Sequence, residues 1–228
     1  MKISQLIGST FTLSGIVTLS VLSSPLMANA ASFSFSNING GDTVGDTLNG
    51  GLSLSVEQIG TDLTFKFFNN ITSPTNTFIG TIYIDAVPAL LGASNNNISF
   101  FNASTPITGT NIGFSGGLSN ANFPQGNIIG FSTDYAFDAN NGGGNKYAIQ
   151  SGEALGITFA GVGTNYTSVV DGLNNGTFRV GYHLQNVFNS SDSYVSTKPV
   201  PVPSLLFGIM AAGALGGSRL LKNKKQSA

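Results

Sequence analysis

His183 is the only histidine of the chain, and the sequence holds no cysteine and no tryptophan. Around it the residues alternate. Arg179, Gly181, His183 and Gln185 fall on one side of an extended segment, and Phe178, Val180, Tyr182 and Leu184 fall on the other. An imidazole there serves as a general base only if a nucleophile and an orienting carboxylate join it. Serines are abundant, but no Gly-x-Ser-x-Gly elbow singles one out. The expectation is a structural histidine bonded to neighbouring loops. With one histidine and no thiolate, no metal or other cofactor is expected.

Oxygen-bearing side chains offer a second kind of chemistry. Asp134, Asp138, Asn140, Asn141 and Asn145 crowd a Gly-rich stretch, and calcium takes such ligands. The spacing lacks the terminal glutamate of an EF-hand, so a plain polar loop and a calcium loop both stay open. Gly40-Gly41-Asp42-Thr43 and Gly45-Asp46-Thr47 read as turns. Glycoside hydrolysis needs two acids facing one cleft, whereas Asp85, Glu153 and Asp171 are scattered. Without tryptophan, sugar stacking would fall to Tyr83, Tyr135, Tyr147 or Tyr182. Gly142-Gly143-Gly144 opens no helix and lacks a Gly-Lys-Ser/Thr ending, so it is a flexible turn and not a phosphate loop.

The elements that carry these residues read as strands. Period-two alternation marks Phe33–Phe35, Leu52–Glu57, Leu63–Phe67 and Phe78–Asp85. In the last of these, Phe78, Gly80, Ile82 and Ile84 are expected on one face. Later strands are expected at Ile128–Phe137, Leu155–Val162 and Phe178–Val187, with weaker ones at Ile98–Phe101 and Asn111–Phe114. Gly60-Thr61, between two strong runs, predicts a tight hairpin. The one helical signal is Ala89–Ala93 after Pro88. The fold class expected is all-β: one antiparallel β-sandwich, jelly-roll-like, over residues 31–198, with a closed barrel as the less favoured alternative.

All ten acidic residues lie in that segment, against Lys66, Lys146, Arg179 and Lys198, which leaves it six charges negative. No basic stripe exists, and nucleic acid is not an expected partner. Solubility comes from amides and hydroxyls. Such a surface hydrogen-bonds sugars with little salt dependence, which suits an extracellular polysaccharide partner.

The two ends carry addresses. Lys2, an apolar run from Ile3 to Leu22, Pro25 and the small-residue pattern Ala28-Asn29-Ala30 form a signal peptide over residues 1–30. Cleavage is expected between Ala30 and Ala31. At the other end, Pro201-Val202-Pro203 leads into the apolar segment Ser204–Gly217, followed by Arg219, Lys222, Lys224 and Lys225. That segment alone is short of the ~20 residues that cross a bilayer; with Val200 and Val202 before it and Leu220 and Leu221 after it, it makes a marginal membrane span, with the lysines left on the cytoplasmic side. A plain tail anchor is one reading of it.

This tail, residues 199–228, resembles the PEP-CTERM sorting signal of Gram-negative bacteria. The motif here has valine at its centre where the family pattern has glutamate. The resemblance implies export, transient holding by a C-terminal transmembrane helix, and cutting near the motif by an exosortase-like sorting enzyme. The product would pass to the cell surface or the extracellular matrix, in a structural or adhesive role. Gly152-Glu153-Ala154-Leu155 and Arg179-Val180-Gly181-Tyr182-His183-Leu184-Gln185, closed by Ser191-Asp192-Ser193-Tyr194-Val195, resemble strands of cargo domains of that family. That likeness implies architecture and no enzymatic activity. The alternative function is a carbohydrate-active hydrolase or glycan-binding module on a jelly-roll scaffold.

Overall fold

The computed structural model of the protein describes residues 29–40, 43–48, 50–105, 111–140 and 145–197. The signal segment up to Ala28 and the tail with Pro201, Val202 and Pro203 lie outside the described residues. Ten strands form one antiparallel sheet: β1 (Asn29–Asn37), β2 (Leu52–Ile59), β3 (Asp62–Asn69), β4 (Phe78–Asp85), β5 (Ile98–Asn102), β6 (Phe114–Leu118), β7 (Tyr135–Ala139), β8 (Glu153–Phe159), β9 (Arg179–Val187) and β10 (Ser190–Ser196). Their order is β5-β8-β3-β2-β1-β10-β9-β4-β7-β6. Among the described residues the fold is all-β and antiparallel, in keeping with the alternation, with one short helix, α1 (Tyr166–Asn175).

The sheet turns back on itself at β1. Phe33 and Ser34 pair with Leu54 and Ser53 of β2, whereas Phe35 and Asn37 pair with Ser196 and Tyr194 of β10. One strand thereby serves both halves, so the layers are a continuous ribbon and not two separate sheets. Aromatic rings fill the space between. Phe65 of β3 stacks 5.9 Å from Phe178, Phe67 meets Tyr182 at 6.1 Å, and Phe159 of β8 meets Tyr135 of β7 edge-on at 5.9 Å. Near the free edges, Phe100 of β5 lies 5.7 Å from Phe137, and Leu118 N–H of β6 donates to Asn95 Oδ1 at 2.7 Å. The ribbon is nearly closed.

Tyr182 ties the halves by a polar bond as well, its hydroxyl donating to the carbonyl of Ser53 at 3.0 Å. Its ring is fully buried and stacks 3.9 Å from Phe35, so removing the hydroxyl leaves the packing intact. Tyr182→Phe is expected to cost about 1 kcal/mol, read as a lower urea midpoint at unchanged slope.

Several elements depart from the expected pattern, each for a local reason. The hairpin at Gly60-Thr61 forms as expected, with Gly60 at φ 60° and Ile59 opposite Asp62. The strand expected at Ile128–Phe137 begins only at Tyr135, because Gln125 and Gly130 both take φ 61° around a 3-10 turn, Gly126–Ile129. A left-handed residue cannot continue a strand. The strand expected at Asn111–Phe114 starts at its last residue and runs on to Leu118, and the helical signal at Ala89–Ala93 is a 3-10 turn, Pro88–Leu91.

The helix α1 had no sequence signal. Its Asn, Gly and Thr content opposes helix formation, but Val169, Gly172 and Leu173 bury one face against the ribbon. Finally, β4 carries a bulge. Ile79 pairs with Leu184 and Thr81 with His183, so Gly80 is the extra residue. The face expected for Phe78, Gly80, Ile82 and Ile84 therefore splits at Gly80: Phe78 lies opposite Gln185, and Phe78 and Ile79 are both buried.

Candidate functional site

The outer face of β9 carries the residues of interest. Alternation sends Val180, Tyr182 and Leu184 into the core and leaves Arg179, His183 and Gln185 outward, as the sequence predicts. The face has two parts. Toward Arg179, the loop before β7 covers it: Phe123 lies against Gly181, where a Cβ would sit 2.6 Å from the ring, and packs on Tyr83 at 4.9 Å. Arg179 pins that loop by donating to the carbonyls of Ile129 (2.7 Å) and Gly130 (2.6 Å) and by an ion pair with Asp85.

Beyond Gly181 the cover ends and a basin of about 720 Å³ opens. β9 supplies His183, Gln185 and Asn186; the hairpin and β10 supply Asn189, Ser190 and Ser191; Phe78 and Asn145 form the walls. The bulge at Gly80 is what brings Phe78 here.

The β9–β10 hairpin shapes the rim. Val187 pairs with Ser190, leaving Phe188 and Asn189 as a two-residue turn with φ 49° and 67°. Both central residues are left-handed, the condition of a type I′ turn, whose preferred residues are Asn and Gly. The next pair is Gln185 with Ser191, so Asn186 (φ 58°) is a bulged residue, its amide donating to the carbonyl of Asn76 at 3.1 Å. Phe188 is 54% exposed at the tip.

His183 is flanked by Ser193 across β10 and Thr81 across β4. Its Nδ1 and the Ser193 hydroxyl are buried and have no hydrogen-bond partner among the described residues. The loop bonding expected of His183 is thus not found at Nδ1. Nor does the row form a catalytic triad. Ser193 is fully buried, and the carboxylate in line, Asp138, accepts from Thr81 Oγ1 at 2.8 Å. It lies on β7, two strands from β9, roughly 10 Å at ~4.8 Å per strand.

Burial holds the imidazole below its ordinary pKa of 6.5, an effect the Asp192 charge offsets in part. A depressed histidine binds fewer protons folded than unfolded, so its contribution is present above about 6.5 and is lost as pH falls below that value. The single imidazole is expected to titrate below 6.5 by proton NMR. The urea midpoint should fall on acidification through this window, and His183→Gln should flatten that fall.

The other candidates are placed apart. Asp134 and Asp138 flank opposite ends of β7, Asp134 accepting from Ala86 N at 2.9 Å. Four residues of strand separate them by about 13 Å, too far to share one cation. Asn141 lies outside the described residues. Among the described residues no three His, Cys, Asp or Glu side chains converge. Asp85 pairs with Arg179, Glu153 accepts from Gln150 N at 2.8 Å, and Asp171 is on α1, so the three do not meet.

Of the tyrosines considered for sugar stacking, Tyr83, Tyr135 and Tyr182 are buried, and Lys146 covers half-buried Tyr147 at 5.0 Å. Three therefore have no face for a ligand. The aromatic ring that lines the basin is Phe78, while Phe188 is exposed at the hairpin tip.

Behind the basin strand, Asp192 organises the segment 43–48. Its carboxylate accepts from Asn37 Nδ2 (2.8 Å), Gly45 N (2.9 Å) and Ser193 N (2.8 Å), while the Tyr194 hydroxyl donates to Gly45 O at 2.8 Å. Burial first, then the Asp192 and Asp46 charges, push the Tyr194 phenol up to about 12, against a lowering from Asn37.

At the N-terminus, Ala30 and Ala31 pair with Glu57 and Val56. A cut between them would remove only the exposed residues Asn29 and Ala30 from β1 and leave Phe33 and Phe35 in place. Among the described residues no helix is long and apolar enough to cross a membrane.

No family model, curated protein or solved structure matches the chain.

Proposed function

We propose that the protein is exported and retained at the cell surface or in the extracellular matrix, where it has a structural and adhesive role. The PEP-CTERM-like tail supports the address: the Pro201-Val202-Pro203 motif, the apolar segment Ser204–Gly217 and the closing lysines would be read by an exosortase-like enzyme. The scaffold is read as a jelly-roll-like sandwich, supported by the facing aromatic layers that β1 joins. The observation that carries the adhesive part is the basin on β9, whose lining is amides, hydroxyls, one imidazole and the Phe78 ring, with no carboxylate or ammonium. Such a surface suits a polysaccharide, because it offers donors and acceptors without a charge to be screened.

The test has two parts. Intact mass of the native protein from membrane and extracellular fractions is expected to show loss of the segment after Pro203 in the extracellular form. A native protein found only with its lysine tail, in the membrane, would refute the sorting part. The released protein is expected to co-sediment with polysaccharide from its producing cells, and failure to do so would refute the adhesive part.

A further inference from the structure

We infer that the prolines after β10 stop its ladder at Thr197, Pro199 first and Pro201 behind it, and so keep the sorting motif off β1 as an extended strand for an enzyme that reads backbone groups. The ladder stop follows from strand pairing; the partner rests on the sorting reading above.

β10 pairs with β1 in one register, Asn37 with Tyr194, Ser36 with Val195 and Phe35 with Ser196. One rung further, Thr197 N–H donates to the carbonyl of Ser34 at 2.8 Å, and the two hydroxyls meet at 2.9 Å. In an antiparallel ladder each residue turns its N–H and C=O to one side, and the next residue turns them to the other. Ser34 faces β10, and by the same alternation so do Ser32 and Ala30. Both are exposed, and among the described residues they pair only with Ser55 and Glu57 of β2. The edge has room for two more rungs, and the chain leaving Thr197 starts beside it.

Carried forward, the register sets Pro199 opposite Ser32 and Pro201 opposite Ala30. Each is a position that must donate to β1, and proline has no N–H. A sheet tolerates proline where its nitrogen faces away from the partner strand, which is the other phase. One proline alone would be passed by resuming a rung later; the two-residue spacing blocks each rung in turn. After the expected cut between Ala30 and Ala31, Ser32 is the rung that remains, and Pro199 is the residue that blocks it.

The other phase is intact. Lys198, Val200 and Val202 keep their N–H groups, and on an extended chain these point away from β1. Proline fixes its own φ and turns the residue before it away from helix. A chain so constrained offers alternate donors and acceptors along one side, which an enzyme that binds its substrate as an added strand would engage.

The full-length protein in detergent, isotope-labelled at lysine and valine, is compared with two variants that keep every proline. One carries a single alanine inserted between Thr197 and Lys198, the other two alanines. The single insertion turns the Lys198 amide toward Ser32 and the prolines outward; the double insertion restores the original phase. Hydrogen exchange by NMR is expected to find the wild-type Lys198 amide near the rate of an unstructured peptide, with Val195 as the protected reference. The single insertion should slow Lys198 at least about tenfold, and the double insertion should return it to the wild-type rate. Release from the membrane in producing cells, followed by pulse-chase, should slow by a similar factor for the single insertion and recover for the double, because cutting draws on the same open population.

A wild-type Lys198 amide protected as well as Val195, or equal exchange in all three proteins, overturns the ladder stop. Exchange that follows the phase while release does not overturns the strand-reading partner. If wild type is never cut, the sorting reading falls and takes the partner with it, while exchange decides the ladder stop by itself.

Discussion

Asp192→Ala is expected to cost the fold about 3–5 kcal/mol, the range seen when a buried charge network loses its central partner. The carboxylate is 2% exposed and satisfies donors from β1, the 43–48 segment and its own strand. Alanine would leave the Gly45 and Ser193 amides and the Asn37 side chain unpaired inside the protein, where no water replaces the lost acceptor. Asp192→Asn should recover part of the loss, since one oxygen remains to accept. Gly45→Ala should resemble the alanine variant from the other side, because its Cβ would lie 2.5 Å from the Tyr194 hydroxyl and 2.7 Å from Asp192 Cβ. Urea unfolding followed by far-ultraviolet circular dichroism reads all three. An unchanged midpoint for Asp192→Ala would show that the cluster contributes nothing net.

Phe159→Ala is expected to have an effect of similar size, about 3–5 kcal/mol, by a different route. The ring is fully buried and touches Phe65 at 5.6 Å, Tyr135 at 5.9 Å and Phe137 at 6.2 Å, all edge-on. It sits where β8 of one half meets β7 of the other, so its removal opens a cavity at the seam. Rigid strands on both sides limit the collapse that would refill it. Phe101→Ala is the control. That ring is 41% exposed on the outer face, and its loss should cost under about 1 kcal/mol. Equal midpoints for the two variants would mean that the seam is not what holds the halves together.

Both predictions concern features of unequal visibility in the chain. The core side of the seam was legible: Leu63, Phe65 and Phe67, and Val180, Tyr182 and Leu184, alternate without interruption and are buried as their spacing dictates. The Asp192 cluster was not, because its partners Asn37 and Gly45 are 155 and 147 residues away. His183 was identified by its rarity and its face follows from alternation, yet its flanking by Ser193 and Thr81 depends on strand pairing. Phe188 was hidden for another reason. A phenylalanine after an apolar strand looks like core, and only the paired residues Val187 and Ser190 reveal it as the exposed first residue of a turn.

By itself the sequence determined the class of structure and its chemical limits. Period-two alternation makes antiparallel strands, glycine at position 60 makes the first hairpin, and a chain with one histidine and no cysteine has no thiolate or multi-histidine site. These follow from short-range sterics and from side-chain chemistry, which no fold can add to. The tertiary structure decided which strand lies beside which. It set the change of partner along β1, the fully buried rings of Tyr135 and Tyr182, the helix α1 formed against its residues' preferences, and the bulges at Gly80 and Asn186 that turn Phe78 and the hairpin amides toward one basin. Those outcomes depend on ladder hydrogen bonds and apolar contacts between distant segments, whose free energy outweighs local propensity once both faces of the ribbon close on a common core.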